Sequence, residues 1–121
     1  MRRSRSNITM TNYEREYLKG STDCLILSVV NDGPTYGYEI IRQLESRSDG
    51  YFHFREGTLY PALHRMEQEG LVEGRWQTLP NGQERRYYYI TPRGKEMLAH
   101  RRAVWSTFSA AVRAVFKPEA G

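Results

Sequence analysis

Residues 57–76 read GTLYPALHRMEQEGLVEGRW, and this stretch decides which kind of domain the chain forms. Its apolar side chains recur at the three- and four-residue spacing of one helical face: Leu59, Ala62, Leu63, Met66 and Leu71. The opposite face carries hydroxyl, aromatic, imidazole and guanidinium groups, where an ordinary solvated face favours Glu and Lys: Thr58, Tyr60, His64, Arg65 and Gln68. The segment predicts a helix with one face in the core and another face that makes a specific contact.

Two residues set the bounds of this helix. Pro61 lacks an N–H and is tolerated only in the first helical turn, which places the helix start near Gly57 or Thr58. Gly70 is the kind of residue that follows a last helical turn, so we expect the helix to cover residues 57–69. Beyond Gly70 the period of the apolar residues changes from helical to two.

A β-hairpin is predicted directly after this helix. Its strands are residues 71–77 (LVEGRWQ) and 84–91 (ERRYYYIT), which are rich in aromatic and β-branched side chains. Asn81 and Gly82 lie between them and form a strong hairpin-turn signal. The change from helix to hairpin is typical of a wing that follows a DNA-reading helix.

Three helices are predicted in the part of the chain that precedes this segment. We expect a short helix over residues 13–19, interrupted by Gly20, and a second helix that Ser21 caps and that runs to Asn31. This second helix is apolar on most sides, so it should be the buried centre of the domain. A further amphipathic helix lies within residues 35–50.

The chain closes with a long helix, for which Thr91 supplies an N-cap and Pro92 the first helical residue. The order of elements predicts a mainly α fold with a β-hairpin, a winged helix-turn-helix with an N-terminal helix and a long C-terminal helix. The predicted division is a mobile basic arm (1–12), a winged helix-turn-helix DNA-binding domain (13–91), a C-terminal dimerisation helix (92–117) and a tail (118–121).

The chain has 121 residues, enough for one domain with a single modest core. Lys and Arg number 18 against 14 acidic residues, and the formal net charge of +4 suits a polyanionic partner, although many soluble proteins without one are equally basic. The single cysteine, Cys24, cannot form an internal disulfide, and three scattered histidines do not complete a zinc site. No apolar run approaches the roughly 20 residues of a transmembrane helix. We therefore expect a cytoplasmic protein with no metal, cofactor or membrane partner.

The polar face of the helix over residues 57–69 suits duplex DNA. In a helix-turn-helix protein the second helix of the motif enters the major groove, and residues near its N-terminus contact base edges. Thr58 and Tyr60 can donate to phosphate oxygens, while His64 and Arg65 suit guanine edges or phosphates one turn further along. The alternative is that Tyr60 packs on the preceding helix and that His64 is an ordinary surface residue.

The hairpin offers a second contact. Gln83, Arg85 and Arg86 flank a tip that contains Gly82, which matches a wing lying along a minor groove, where the negative potential favours arginine. The alternative is a basic edge strand that discourages the association of sheets.

Three blocks of the sequence resemble the PadR family of bacterial transcriptional regulators: KGSTDCLILSVVNDGPTYGYEIIRQL (19–44), GTLYPALHRMEQEGLV (57–72) and RRYYYITPRGKEML (85–98). The resemblance covers Leu18 to Leu98 in order and with the family's spacing. It is to the small subgroup with a single C-terminal helix rather than to the subgroup with a separate C-terminal domain.

The resemblance implies a homodimer that binds double-stranded DNA at a palindromic operator and usually represses transcription. Many members release DNA when an aromatic or cationic amphipathic compound binds. Carried onto this chain, the DNA-contacting positions are Tyr36, Gly37, Thr58, Tyr60, Pro61, His64, Arg65, Gly82, Arg85 and Arg86.

The last helix carries a stripe that needs a partner surface. Its members follow an approximate heptad pattern: Leu98, Arg101, Trp105, Phe108, Val112 and Val115. The most economical partner is the same helix, or the N-terminal helix, of a second chain. Arg101 departs from an apolar seam and either meets acidic residues of the partner or extends to solvent. A dimer would hold two recognition helices about 34 Å apart, so that they reach successive turns of DNA.

Trp105 carries a sharper hypothesis, which comes from the resemblance. In ligand-sensing relatives with a single C-terminal helix, a tryptophan eleven residues after the glycine of the T-x-x-G block faces its symmetry mate across a pore where planar aromatics stack. Here that glycine is Gly94, and the spacing to Trp105 is the same. Trp105 and Phe108 are therefore candidate ligand-binding residues for an aromatic or phenolic effector. The alternative is that Trp105 anchors a dry dimer seam.

Other function classes find little support in these residues. No carboxylate pair, Gly-rich phosphate loop or nucleophile elbow surrounds the histidines or Cys24, so we expect no catalytic residue and no enzyme. RNA binding is disfavoured because the major groove of A-form RNA does not admit a helix. The remaining alternative is a winged-helix module that binds a protein instead of DNA, which would favour acidic residues where His64, Arg65 and Gln68 stand.

Overall fold

Four helices and one small antiparallel sheet make up residues 12–116, the part of the chain that the structure describes. The structure is a computed structural model, and side chains are described over residues 21–116. In chain order the elements are α1 (Asn12–Asn31), β1 (Thr35–Tyr36), α2 (Gly37–Arg47), α3 (Glu56–Gln68), β2 (Val72–Thr78), β3 (Glu84–Ile90) and α4 (Pro92–Phe116). The strands pair in the order β1-β3-β2. The predicted winged helix-turn-helix is confirmed, with α4 added after it.

The core is built around α1, as the apolar composition of that helix predicts. Ile26 and Leu27 are fully buried, and Val30 is nearly so. Every later element except β1 brings apolar side chains to this centre, and the residue just before β2 joins them: Ile40, Ile41, Leu44, Leu59, Leu63, Met66, Leu71, Val72, Tyr88 and Leu98. Burial of each such side chain contributes roughly 1.5–3 kcal/mol, so this cluster decides which edge of each helix faces inward.

The predicted break at Gly20 is wrong. α1 runs without interruption from Asn12 to Asn31, so Ser21 lies inside the helix and is not its N-cap. A glycine inside a helix costs only about 1 kcal/mol relative to alanine. The burial of the apolar side chains that follow outweighs this cost.

The predicted start of α3 is also too late. The helix begins at Glu56, so Pro61 is its sixth residue rather than a member of its first turn. Because Pro61 has no N–H, the carbonyl of Gly57 four residues earlier receives no helical hydrogen bond. Both residues are exposed, and water can replace that bond.

A third strand adds to the predicted hairpin. β1 is only two residues long, and it pairs with β3 through Thr35↔Tyr88 and Tyr36↔Tyr87. Two residues do not show the period-2 alternation by which a strand is identified in a sequence. The pairing matters because it joins the start of α2 to the wing, which we define as β2, β3 and the turn between them.

A hydrogen-bonded junction joins α3, β2 and α4. Gly70 adopts φ +79° just past α3, and the N–H of Leu71 donates to the Met66 carbonyl at 2.9 Å. The Thr91 hydroxyl accepts from the Gly94 N–H at 3.0 Å and donates to the Gly70 carbonyl at 2.6 Å. The predicted end of α3 and the predicted N-cap of α4 are both confirmed, and together they fix the point at which α4 leaves the domain.

Two predicted segments lie outside the described residues. They are the basic arm over 1–12, apart from Asn12 at the start of α1, and the tail over 118–121. Within residues 12–116, no helix has the length and apolar character needed to cross a membrane.

Candidate nucleic-acid interface

One row of α3 side chains faces away from the domain. Leu59, Leu63 and Met66 are fully buried, which turns the opposite edge of the helix outward. That edge, which we call the α3 ridge, consists of exposed residues three and four apart: Gly57, Pro61, His64 and Gln68. A Cβ added at Gly57 would meet no atom within 4 Å. The N-terminal end of the ridge is therefore slim and open.

Arg65 lies on the flank of α3 that faces α1, and it is bound there. Its guanidinium donates to both carboxylate oxygens of Asp23, at 2.7 and 3.0 Å, and to Glu69 at 3.3 Å. The hydrogen bond to Asp23 raises the pKa of Arg65 further above its ordinary value, so the group stays charged. Thr58 is exposed two helical turns earlier. The sequence predicts a base or phosphate contact for Arg65, and the structure directs its donors to α1 instead.

Tyr60 lies on the other flank of α3, against the start of α2. A Cβ at Gly37 would come within 2.5 Å of the Tyr60 ring and hydroxyl, so the glycine leaves the space that the ring fills. Burial raises the pKa of Tyr60, and the charge of Glu56 acts in the same direction. This is the packing on the preceding helix that the sequence analysis leaves open. Tyr60 also keeps 42% of its surface exposed, so packing does not use the whole side chain.

Aromatic rings pack against Arg85, a half-buried cation of the wing. The guanidinium carbon of Arg85 lies 4.0 Å from the ring centroid of Tyr36, and the rings of Tyr36 and Tyr87 meet edge to face at 5.5 Å. Among the residues with described side chains, no carboxylate lies within ion-pair distance of Arg85. Gly82 occupies the predicted turn with φ +90°.

A contact that the sequence analysis missed joins α3 to the wing. Glu67 accepts a hydrogen bond from the Arg86 guanidinium at 2.6 Å and another from the Gly74 N–H at 3.2 Å. A Cβ at Gly74 would lie 2.5 Å from Nε of Arg86, so the arginine crosses β2 where that strand has no side chain. A glycine inside a strand was the available signal, because it marks a close approach by another group. The sequence predicts Arg86 as a DNA contact, and the structure places it in an ion pair.

A cleft of about 510 Å³ opens between α3, the start of α2 and the wing. It gathers half of the predicted DNA-contacting residues: Tyr36, Gly37, Tyr60, Arg85 and Arg86. Trp76, which is 63% exposed, also lines it and was not singled out by the sequence analysis. Pro61 and His64 stand on the ridge beside the cleft, whereas Thr58 and Arg65 lie toward the α1 side of α3.

The outer part of α4 presents an apolar surface. Its exposed side chains are Val104, Trp105, Phe108, Val115 and Phe116. The rings of Trp105 and Phe108 lie 5.7 Å apart and are tilted by 33°. Arg101 and Val112 are half-buried. Leu98, which the sequence assigns to the dimer surface, is only 3% exposed, because its side chain packs in the core of its own domain.

The reactive side chains of the domain are dispersed. No group of three or more His, Cys, Asp or Glu residues that could hold a metal ion occurs in the described part of the chain. Burial raises the pKa of the Cys24 thiol, and nearby Arg101 and Arg102 offset this effect in part. The thiolate is therefore disfavoured, as the apolar surroundings of Cys24 in the sequence predict.

A family model described as "Transcriptional regulator PadR-like family" matches residues 26–100, which include α3 and the wing. The transcriptional regulator Rv3488 of Mycobacterium tuberculosis is 32% identical to this chain over 88 residues, which cover 73% of this chain and 78% of that protein.

Solved structures agree with this match. A PadR-like transcriptional regulator from Bacillus cereus has a TM-score of 0.75 and 33% identity, over 86% of this chain and 99% of its own. A transcriptional regulator from Clostridium thermocellum has a TM-score of 0.74 and 28% identity, over 84% of this chain and 99% of its own.

The contact between Asp23 and Arg65 yields a stability test. We expect Asp23→Ala to lower the free energy of unfolding by about 1–2 kcal/mol, because two charge-assisted hydrogen bonds to a half-exposed guanidinium are lost. Urea unfolding followed by circular dichroism measures this change. Glu69→Ala is the matched control, since it removes only an exposed contact of Arg65 and should cost about 0.5 kcal/mol or less. Equal losses in the two variants would contradict the role given to Asp23.

Proposed function

Because the chain belongs to the PadR-like family of transcriptional regulators, we propose that it is a sequence-specific DNA-binding protein, a homodimer that represses transcription from a palindromic operator. The observation that carries the proposal is the α3 ridge, an exposed row without acidic side chains whose two flanks are held by the rest of the domain. The partner is double-stranded DNA, and the protein acts in the cytoplasm, where that DNA lies.

The shape of the ridge supports insertion into the major groove. That groove is about 12 Å wide, and an α-helix with its side chains is about 10–12 Å across. Small side chains at the leading end let the helix backbone come close to the DNA, and Gly57 and Pro61 occupy that end. His64 and Gln68 then present hydrogen-bonding groups to base edges, for which an imidazole or a carboxamide is suited.

The groups beside the ridge suit the sugar–phosphate backbone. α2 begins at Gly37, and its N-cap residue, Tyr36, forms no side-chain capping bond, so first-turn N–H groups are available to an anion. The Tyr60 hydroxyl borders the same cleft, and Arg85 brings a guanidinium that no carboxylate of residues 21–116 neutralises. Thr58 extends these contacts on the α1 side, and the turn at Gly82 lets the wing lie close to a minor groove.

We propose a structural role for Arg65, whereas the sequence predicts a contact with DNA. Its guanidinium is bound in two places by Asp23 and in a third by Glu69. We assign it the role of holding α3 on α1, and we leave the base contacts to His64 and Gln68.

The exposed surface of α4 supports the dimer. A monomer would leave Trp105, Phe108 and Phe116 in water along one helix, whereas a second copy of α4 or α1 would cover them. Arg101 and Val112 lie in the same stripe and extend the proposed seam. Two domains joined in this way present two ridges, which is the arrangement that an inverted repeat in DNA requires.

The same surface is the proposed site of an effector. Trp105 and Phe108 form an exposed pair of rings, and across a two-fold axis two such pairs would provide flat faces for an aromatic or phenolic compound. Binding there would shift the separation of the two ridges and so lower operator affinity. A dry seam without a ligand is the alternative.

Replacing Gly57 with alanine separates DNA binding from folding. The added methyl group meets no protein atom within 4 Å, so the higher helix propensity should raise the free energy of unfolding by roughly 0.5–1 kcal/mol. The same methyl on the ridge should weaken operator binding about tenfold, or about 1.4 kcal/mol. Fluorescence anisotropy measures this affinity on an operator selected from random DNA, in which we expect an inverted repeat.

Ser46→Ala is the control for Gly57→Ala. It also raises helix propensity, but at an exposed position near the end of α2, so it should leave operator affinity unchanged. Full operator affinity in Gly57→Ala would exclude close approach of the ridge. Failure to select any preferred sequence would exclude sequence-specific binding.

The dimer is tested at Phe108. A carboxylate in an apolar seam is costly to desolvate, so Phe108→Asp should weaken self-association at least tenfold, as measured by sedimentation equilibrium at micromolar protein. Ala110→Asp adds the same charge to an exposed position on the opposite side of α4 and should leave association unchanged. Wild-type protein that sediments as a single chain would contradict the dimer.

The effector site is tested by tryptophan fluorescence. The chain has two tryptophans, and Trp76→Phe leaves Trp105 as the reporter. Titration with planar phenolic and cationic aromatic compounds should quench its emission and weaken operator binding. Trp105→Phe, which keeps Trp76, should abolish both responses. Unchanged Trp105 emission across a broad panel would favour the dry seam.

A further inference from the structure

We propose that Glu67 is a positioning residue for operator selectivity: it holds the wing at a fixed place beside the α3 ridge by binding Arg86 across Gly74. We call these three residues the wing clamp. The inference rests on the proposed DNA-binding function, and it assigns a role to residues that lie between the two DNA-contacting elements.

The clamp works through one oxygen atom. Oε2 of Glu67 accepts from Arg86 at 2.6 Å and from the Gly74 N–H at 3.2 Å. β2 is an outer strand of the sheet, so N–H groups on its open side have no partner strand. At Gly74, the Glu67 carboxylate takes the place of that missing strand. The wing is therefore tied to α3 through both its backbone and a side chain.

The clamp also fixes the direction of Arg86. The guanidinium carbon lies 5.6 Å from the ring centroid of Trp76 and 5.9 Å from that of Tyr88. A Cβ at position 74 would lie only 2.5 Å from Nε of Arg86. Arg86 can therefore follow this path across β2 only because residue 74 is glycine. Three separate features hold the arginine in one orientation: the carboxylate, the glycine and the rings.

Charge alone does not explain a carboxylate at this place. Glu67 projects from the recognition helix beside a surface that faces a polyanion, where a negative charge weakens binding to every DNA sequence. Glu67 also neutralises Arg86, which removes that arginine from the set of free phosphate ligands. A fixed distance between the ridge and the wing explains both the presence of Glu67 and its pairing with Arg86. At that distance the ridge can enter the major groove and the wing the minor groove at the same time only where the DNA has the matching shape.

The test measures a selectivity ratio, the Kd for a non-specific duplex divided by the Kd for the selected operator, at one salt concentration. Glu67→Ala removes a negative charge, and electrostatics by itself would tighten binding to both duplexes and leave the ratio unchanged. If Glu67 positions the wing, Glu67→Ala instead weakens binding to the operator and does not weaken binding to the non-specific duplex. We expect the ratio to fall about tenfold.

Gly74→Ala repeats the test without any change of charge. Its methyl group displaces Arg86 from Glu67, so the ratio should again fall by about the same factor. Glu67→Gln keeps a carbonyl oxygen for Gly74 and Arg86 and should stay within about threefold of the wild-type ratio. Glu73→Ala is the matched control, because the Glu73 carboxylate binds only exposed Arg75 among the residues with described side chains, and its loss should leave the ratio unchanged.

Hydrogen exchange of the Gly74 amide reports on the clamp without DNA. We expect exchange at least tenfold faster in Glu67→Ala than in the wild type and in Glu73→Ala, with the far-ultraviolet circular dichroism spectrum preserved. Unchanged exchange would overturn the clamp, and faster exchange with an unchanged selectivity ratio would overturn its role in selectivity. Wild-type protein without operator preference would instead overturn the proposed function, and this inference with it.

Discussion

Burial of one edge of α3 is the constraint on which the rest of the structure depends. Leu59, Leu63 and Met66 lose all contact with solvent, and this turns the ridge outward. The hydrophobic effect has no preferred direction, so burial alone leaves the rotation and sliding of the helix weakly defined. Directional contacts on the two flanks remove that freedom: Arg65 with Asp23 toward α1, and Glu67 with Arg86 toward the wing.

α1 connects the recognition helix to the proposed dimer helix. It carries Asp23, which binds Arg65, and its apolar residues share the core cluster with Leu98 of α4. A shift of α4 in the proposed dimer would therefore reach α3 through packed side chains and an ion pair rather than through a loop. The sequence assigns Leu98 to a partner surface. In the structure, Leu98 is buried in this core cluster instead, and that contact joins α4 to the domain.

Local signals in the sequence predicted most of the fold, and they failed where a residue depends on distant partners. Gly70, the turn at Gly82 and the Thr91 cap are as expected, because each acts on neighbouring backbone. Gly20 does not end α1, because core packing outweighs local propensity. The contact between Arg65 and Asp23 spans 42 residues of sequence, and periodicity shows which face a residue is on but not what it meets there.

The two ion pairs leave the formal net charge of +4 unchanged, because Asp23 and Glu67 are counted in it along with Arg65 and Arg86. They do change which cations are free, since each of these two guanidinium groups is matched by a carboxylate in the folded protein. In the proposed complex, attraction to phosphates would then depend on the cations that stay unmatched near the ridge, Arg85 among them, and on the start of α2. Each guanidinium that an ion pair withdraws from phosphates lowers binding to arbitrary DNA, because the non-specific component is almost entirely electrostatic. In the proposed complex, selectivity would then depend on the fit of the ridge and the wing to one DNA shape and one set of base edges, and a selective regulator needs such a fit.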